Sequence, residues 1–204
     1  MDDPLKEMNG VETHDVKILG SCNGLLCLGA YVINATNAIR TLILWNPSSK
    51  EYKVIIPPLG HLCCAYGFGY DSKIKDYKLV CLDSTDVYAC SLQSNSWRKV
   101  TTIPYNKHFR ESGGLLLNGA IHWSAAKTIV AFDVSSETFM NFPFAEEIKP
   151  SRETTLTVLG DSLCLVYGVP DVRVDVRVMQ NYGVTNSWTK RFTTPKQVLL
   201  DIPV

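Results

Sequence analysis

The chain has 204 residues, enough for one domain whose core needs no disulfide staples and short for two large ones. Lys and Arg number 20 and Asp and Glu number 20. A partner bound by neutralising phosphates calls for a basic excess, so this balance argues against a nucleic-acid ligand. No apolar run reaches the length of a membrane helix, and a 46% hydrophobic content rich in Val, Leu, Tyr and Thr leans towards strand.

Taken in chain order, the predicted elements fall into four similar units. The first begins near Val16, turns at Cys22-Asn23-Gly24 and returns as Leu25 to Leu28. A loop leads to Thr41 to Trp45, then the turn Asn46-Pro47-Ser48-Ser49 opens into Tyr52 to Ile56. Asn-Gly and Asn-Pro are turn formers with a backbone reason: Asn tolerates the left-handed region, Gly has no Cβ, and Pro presets φ. The second unit runs Tyr66 to Tyr70, Tyr77 to Leu82, Val87 to Leu92, and from Trp97 onward. The third runs Leu115 to Leu117, Ala120 to Ser124, Ile129 to Val134 and Phe139 to Phe142, with Asn118-Gly119 in its first turn. The fourth runs Leu156 to Leu159, Leu163 to Tyr167, Val172 to Met179, and from Trp188. The best helix candidate is short, Ala145 to Lys149, closed by Pro150.

An aromatic opens the fourth strand of each unit: Tyr52, Trp97, Phe139 and Trp188. A period of roughly 40–50 residues with four short strands per unit is the pattern of propeller blades. One blade cannot bury both its faces, so blades stack and a large side chain fills the space between neighbours. A β-sandwich also has many short strands, but it gives no reason for an aromatic at the same point of each unit. The expected fold is all-β and β-propeller-like, with about four blade-type four-stranded antiparallel units. Whether four units close the ring or leave it incomplete stays open. The expected organisation is a tail over residues 1–15 and one domain over residues 16–204.

The residues Ile18-Leu19-Gly20-Ser21-Cys22-Asn23-Gly24-Leu25-Leu26-Cys27-Leu28 resemble the opening of the F-box-associated interaction domain of plant F-box proteins, including the S-locus F-box-like and F-box/kelch-like members. Leu44-Trp45-Asn46-Pro47-Ser48 followed by Tyr52 is similar to that family's next landmark. Tyr66-Gly67-Phe68-Gly69-Tyr70-Asp71 with Asp76-Tyr77-Lys78-Leu79-Val80 is the most specific match. Ser96-Trp97-Arg98, Leu117-Asn118-Gly119-Ala120-Ile121-His122-Trp123 and Ile129-Val130-Ala131-Phe132-Asp133 continue it in order. Gly113-Gly114 is similar to the glycine pair of kelch repeats but occurs once.

The resemblance implies a protein-interaction module that recruits the target protein for ubiquitination. A full family member would dock on a Skp-type adaptor and cullin through an F-box of three short helices. No segment of this sequence resembles an F-box, so the adaptor and cullin are expected as partners only through an F-box absent from it. The alternative expectation is a free-standing kelch-like scaffold, or a truncated, non-functional remnant without a ligase role.

Hairpin turns within each unit lie at one rim, and the longer connections at the other: Gly29 to Ile39, Pro57 to Ala65, Thr102 to Ser112 and Pro143 to Thr154. Long loops on a rigid scaffold are common binding surfaces. Aromatic and Arg side chains dominate binding hot spots, which selects Tyr31, His61, Tyr105, His108, Phe109 and Arg110 as candidate contacts. No Gly-x-Ser-x-Gly elbow or phosphate loop is present. His61 with Cys63-Cys64 offers no second spaced ligand pair for zinc. No catalytic role, cofactor or metal is therefore expected. The seven cysteines sit largely in apolar runs and read as buried free thiols of a reducing compartment, with the cytoplasm or nucleus as the expected location.

Overall fold

A computed structural model of the chain describes residues 12–33, 38–58, 63–103, 109, 112–125, 127–145, 148, 154–169 and 173–195. Four antiparallel sheets follow one another along the chain. Blade 1 is β1 (Glu12–Cys22), β2 (Leu25–Ile33), β3 (Ala38–Trp45) and β4 (Tyr52–Ile55). Blade 2 is β5 (Ala65–Asp71), β6 (Asp76–Leu82), β7 (Asp86–Ser91) and β8 (Trp97–Thr102). A short β9 (Ser112–Gly113) adds to it as a fifth strand, parallel to β5. Blade 3 is β10 (Leu115–Leu117), β11 (Ala120–Ala125), β12 (Thr128–Asp133) and β13 (Phe139–Pro143). Blade 4 is β14 (Thr155–Leu159), β15 (Ser162–Val169), β16 (Arg173–Met179) and β17 (Trp188–Pro195), with a 3-10 turn at Thr185–Ser187 before its last strand.

The hairpin turns explain why each sheet forms where it does. Asn23-Gly24 and Asn118-Gly119 have positive φ at both residues, the mirror-image turn that matches strand twist. The outer hairpins of the first three blades share one device. The amides of Lys50, Asn95 and Glu137 bond the carbonyls of Asn46, Ser91 and Asp133 at 2.8, 2.9 and 2.9 Å, each from a positive-φ residue. The side chain that begins each turn accepts from the backbone within it. Asn46 Oδ1 takes the Ser48 amide at 3.0 Å, Ser91 Oγ the Ser94 amide at 3.3 Å and Asp133 Oδ1 the Ser136 amide at 2.6 Å. Two residues after each left-handed position stands the recurring aromatic.

Inner strands of successive blades touch: β1 meets β5, β5 meets β10 and β11, and these two meet β14. Three apolar cores fill the interfaces of blades 1 and 2, 2 and 3, and 3 and 4. Trp97, Phe139 and Trp188 belong to these three cores in turn, so each aromatic fills the interface with the preceding blade. Tyr52 instead packs with Trp45, Leu26, Leu28, Ala30 and Ile43 on the outer face of blade 1. Among the described residues no core cluster joins blade 1 to blade 4.

Three expectations change. The connection expected over Gly29 to Ile39 is mostly strand, because β2 and β3 extend through Ile33↔Ala38 pairing. Strand β1 starts at Glu12, ahead of Val16, and pairs there with Ile33. Not all described cysteines are free thiols: Cys63 and Cys81 form a disulfide, with Cα atoms 6.0 Å apart. The blade 1 to blade 2 connection lays Cys63 over β6, where Cys81 points into the same core. Cys22, Cys27, Cys90 and Cys164 are buried free thiols, as expected. Of the helix candidate, Ala145 and Ile148 are described and joined by one N–H···O bond of 2.9 Å; the rest lies outside the described residues.

Candidate interaction site at the propeller axis

The loop-rim candidates are not brought together as one described surface. His61, Tyr105, His108 and Arg110 lie outside the described residues. Tyr31 sits within β2, paired with His14 and Arg40, rather than on a loop. Phe109 is 9% exposed and packs edge-on against Trp123, with ring centroids 6.4 Å apart, in the core between blades 2 and 3. An aromatic in a polar loop reads as a hot spot in sequence; here its ring area is spent on the core.

The described site lies at the axis, and glycines build it. In β5, side chains alternate between faces. Tyr66 and Phe68 turn to blade 1, and Gly67 and Gly69 turn to blade 3. A Cβ on Gly67 would stand 2.7 Å from Ile121 and 2.8 Å from Trp123. The absent side chains let blade 3 approach until Trp123 Nε1 donates to the Tyr66 carbonyl at 2.8 Å. Beside it, the Gly114 amide donates to the same carbonyl at 2.7 Å. Gly113 lies so near β1 that a Cβ would fall 2.2 Å from the Leu19 carbonyl oxygen. The lone kelch-like glycine pair is thus an axial plug of bare backbone.

Next to this plug opens a cleft of about 310 Å³. Ile18 to Ser21 of β1 form one wall, Gly113 to Leu116 the floor, and Val158 of β14 the far side. No charged side chain among the described residues lines it. Ile18, at 68% exposure, is the most exposed large apolar residue described. Sequence reasoning missed these residues, because an apolar residue in an inner strand reads as core.

A charged network between blades 2 and 3 and the buried thiols lie elsewhere and serve packing. Lys78 Nζ, nearly buried, donates to Asp71 Oδ2 at 2.7 Å, Glu137 Oε1 at 2.8 Å and the Val134 carbonyl at 2.8 Å. Its three donors thereby meet three acceptors. Arg98 also pairs with Glu137 Oε1, and Ser135 Oγ donates to Asp71 Oδ1 at 2.7 Å. Burial alone would raise the Asp71 carboxyl, but the Lys78 and Ser135 hydrogen bonds outweigh it and hold it down at about 2. Burial pushes the Cys27 thiol up to about 12, which keeps it protonated and inert. Burial also lowers the His122 imidazole, which is wedged against Phe142 and Tyr182. Among the described residues no three His, Cys, Asp or Glu side chains are grouped to hold a metal.

Four-stranded antiparallel blades, joined face to face through aromatic cores around a backbone plug, define a β-propeller-type domain. The chain belongs to the F-box associated beta propeller domain family, whose sequence profile matches residues 2–203. It is 30% identical to the F-box protein CPR1 of Arabidopsis thaliana, over 95% of this chain and 57% of that protein. An F-box/kelch-repeat protein of the same plant is 28% identical, over 88% of this chain and 53% of its own length. The chain thus spans little more than half the length of these relatives. Among solved structures, the propeller domain of the Trilobed protease from Pyrococcus furiosus aligns with a TM-score of 0.53. It is 13% identical and covers 90% of this chain and 57% of that one. TolB from Acinetobacter baumannii aligns with a TM-score of 0.55 and 11% identity, over 89% of this chain and 44% of that one. At such identities these likenesses speak for the fold alone.

Proposed function

We propose that this domain is a protein–protein interaction module that recruits the protein to be ubiquitinated to an SCF-type E3 ubiquitin ligase. The observation that carries this reading is membership of the F-box associated family across nearly the whole chain, with relatives named as F-box proteins. The electrostatics agree with a recruiting role rather than a catalytic one. The Lys78, Asp71, Glu137 and Arg98 network joins blades 2 and 3, and the described buried thiols are held protonated. In this reading the domain binds its target directly, in the cytoplasm or nucleus, and a Skp-type adaptor and cullin engage through an F-box, not through the propeller.

Affinity capture from plant extract, with this chain and with the same chain carrying an F-box, tests the proposal. A shared set of captured proteins, with adaptor and cullin recovered only by the longer protein, is the expected result. Capture of adaptor and cullin by this chain alone, or no specific protein by either, overturns it.

A further inference from the structure

We propose that the Cys63–Cys81 disulfide is a reversible clasp, closed by a peroxide and opened by a dithiol, that makes the junction of blades 1 and 2 respond to redox state. The chemistry rests on this bond alone. Its use as a switch rests on the cytoplasmic or nuclear location proposed above, where a disulfide is a transient, redox-sensing bond rather than a permanent one. The two cysteines stand 18 residues apart in the chain, and both belong to the core between blades 1 and 2. Closed, the bond ties the chain at its entry to blade 2 across to β6.

Position decides which end of the bond can be reached. Cys81 sits inside the ladder, opposite Tyr66 of β5 and Tyr88 of β7. Cys63 lies ahead of the first ladder pair, Ala65↔Leu82. Both are buried in the folded chain, Cys63 at 3% exposure and Cys81 at 0%. Lifting Cys63 out takes a local opening at the end of β5, which costs less than unfolding the sheet. Baring Cys81 would part β6 from both of its neighbours. The Cys63 sulfur is therefore the point of attack.

The surrounding cysteines keep the pair specific. Cys22, Cys27 and Cys90 lie in the same core. A disulfide is attacked by a thiolate, and burial pushes all three of these thiols up, Cys27 to about 12. They stay protonated and do not reshuffle the bond. Cys64, next in the chain to Cys63, packs instead against the core between blades 2 and 3. The clasp thus opens to a reagent from outside. One thiolate of the dithiol attacks the Cys63 sulfur, and the Cys81 sulfur leaves and takes up a proton. The second thiolate attacks the resulting mixed disulfide and releases Cys63 as a thiol. The dithiol ends as a disulfide, and two electrons have passed to the protein. Closing runs through hydrogen peroxide. It oxidises Cys63 to a sulfenic acid with loss of one water, and the Cys81 sulfur displaces the second water as the bond forms.

The test treats the full oxidised chain with dithiothreitol under native conditions, then quenches, unfolds and alkylates it. Mass spectrometry should count five labelled cysteines before reduction and seven after. Hydrogen peroxide should return the count to five, with Cys63 and Cys81 joined in the peptide map. Reduction should outpace global unfolding and lower the thermal midpoint by about 6–12 °C. Cys63→Ala and Cys81→Ala should each give a midpoint that dithiothreitol does not move, while Cys64→Ala keeps the shift. If an alanine variant fails to fold, the labelling of the wild-type chain decides. A bond that resists dithiothreitol until the chain unfolds, or peroxide that joins other cysteines, overturns the clasp. Acid-quenched labelling in plant cells tests the location separately. A bond open in unstressed cells and closed after peroxide treatment supports the switch. A bond that cycles in vitro but stays closed in unstressed cells overturns the location, and with it the switch, while the chemistry stands.

Discussion

Lys78 of blade 2 and Glu137 of blade 3 lie 2.8 Å apart, and Glu137 reaches its partner from a left-handed turn position with φ 57°. The turn that positions the recurring aromatic of blade 3 therefore also positions the carboxylate that ties it to blade 2. Lys78 is the hub, since Asp71, Glu137 and the Val134 carbonyl all accept from it. Lys78→Met removes the cation and leaves the Asp71 carboxylate, 1% exposed, without its charge partner. Loss of one member of such a buried pair costs about 3–5 kcal/mol. Arg98, whose side chain is 57% exposed, contributes to the same Glu137 across solvent. Arg98→Ala is expected to cost about 1 kcal/mol or less. Urea unfolding of the two variants should show this order; equal losses would refute the hub assignment.

Asp71 gives the network an acid limit. Its carboxyl sits at about 2 in the fold, below the usual carboxylate value of 3.8. The unfolded chain therefore takes up this proton first as pH falls, and stability drops between about pH 4 and pH 2. The contribution present above that window is on the order of 2 kcal/mol. Asp71→Asn should flatten the stability curve in this window while lowering stability at neutral pH. A slope unchanged by the substitution would show that other carboxylates set the limit.

Two glycines of different kinds make predictions of different size. Gly113 has no room: an added Cβ falls 2.2 Å from the Leu19 carbonyl oxygen, and backbone on both sides must move. Gly113→Ala is expected to cost about 3 kcal/mol, at the upper end of overpacking. Gly24 has open space around it and only a φ of 81° to explain it. Gly24→Ala should cost about 1 kcal/mol, the strain of a left-handed alanine. Thermal unfolding of both variants ranks them; a larger loss at Gly24 would remove the plug from its structural role.

The repeat was legible because its causes are local. Asn-Gly turns, the side chain that begins each outer hairpin and the aromatic that follows it all act within a few residues, so four blades could be read in order. In blade 4 the local device differs, with a 3-10 turn at Thr185–Ser187, yet Trp188 still marks the strand. What stayed hidden depends on contacts between blades. Cys63 and Cys81 meet only because Cys63, just ahead of β5, packs into the core that β6 lines. The two residues of β9 are too few for any strand pattern, and Phe109 is a core residue only because Trp123 lies beneath it. The axial cleft is likewise a product of assembly, made from residues that each look ordinary in their own strand.

His122 supplies a second, separate pH response. Its Nδ1 is 3.1 Å from the Leu115 carbonyl, which can only accept, so Nδ1 carries the proton. Nε2 then accepts from the Tyr182 hydroxyl at 2.8 Å. The ring is 1% exposed between Phe142 and Tyr182, where burial holds it neutral and its pKa is lowered from the ordinary 6.5. The unfolded chain binds this proton at a higher pH than the fold does. Stability should therefore be full above about pH 6.5 and fall as pH drops through the depressed value. His122→Phe should remove this limb and leave the Asp71 limb below pH 4 untouched. Tyr182→Phe leaves Nε2 buried without its donor, at a cost of about 1–3 kcal/mol at neutral pH. Unfolding midpoints measured from pH 8 to pH 2 resolve the two limbs; a single transition insensitive to His122→Phe would assign the whole acid response to carboxylates.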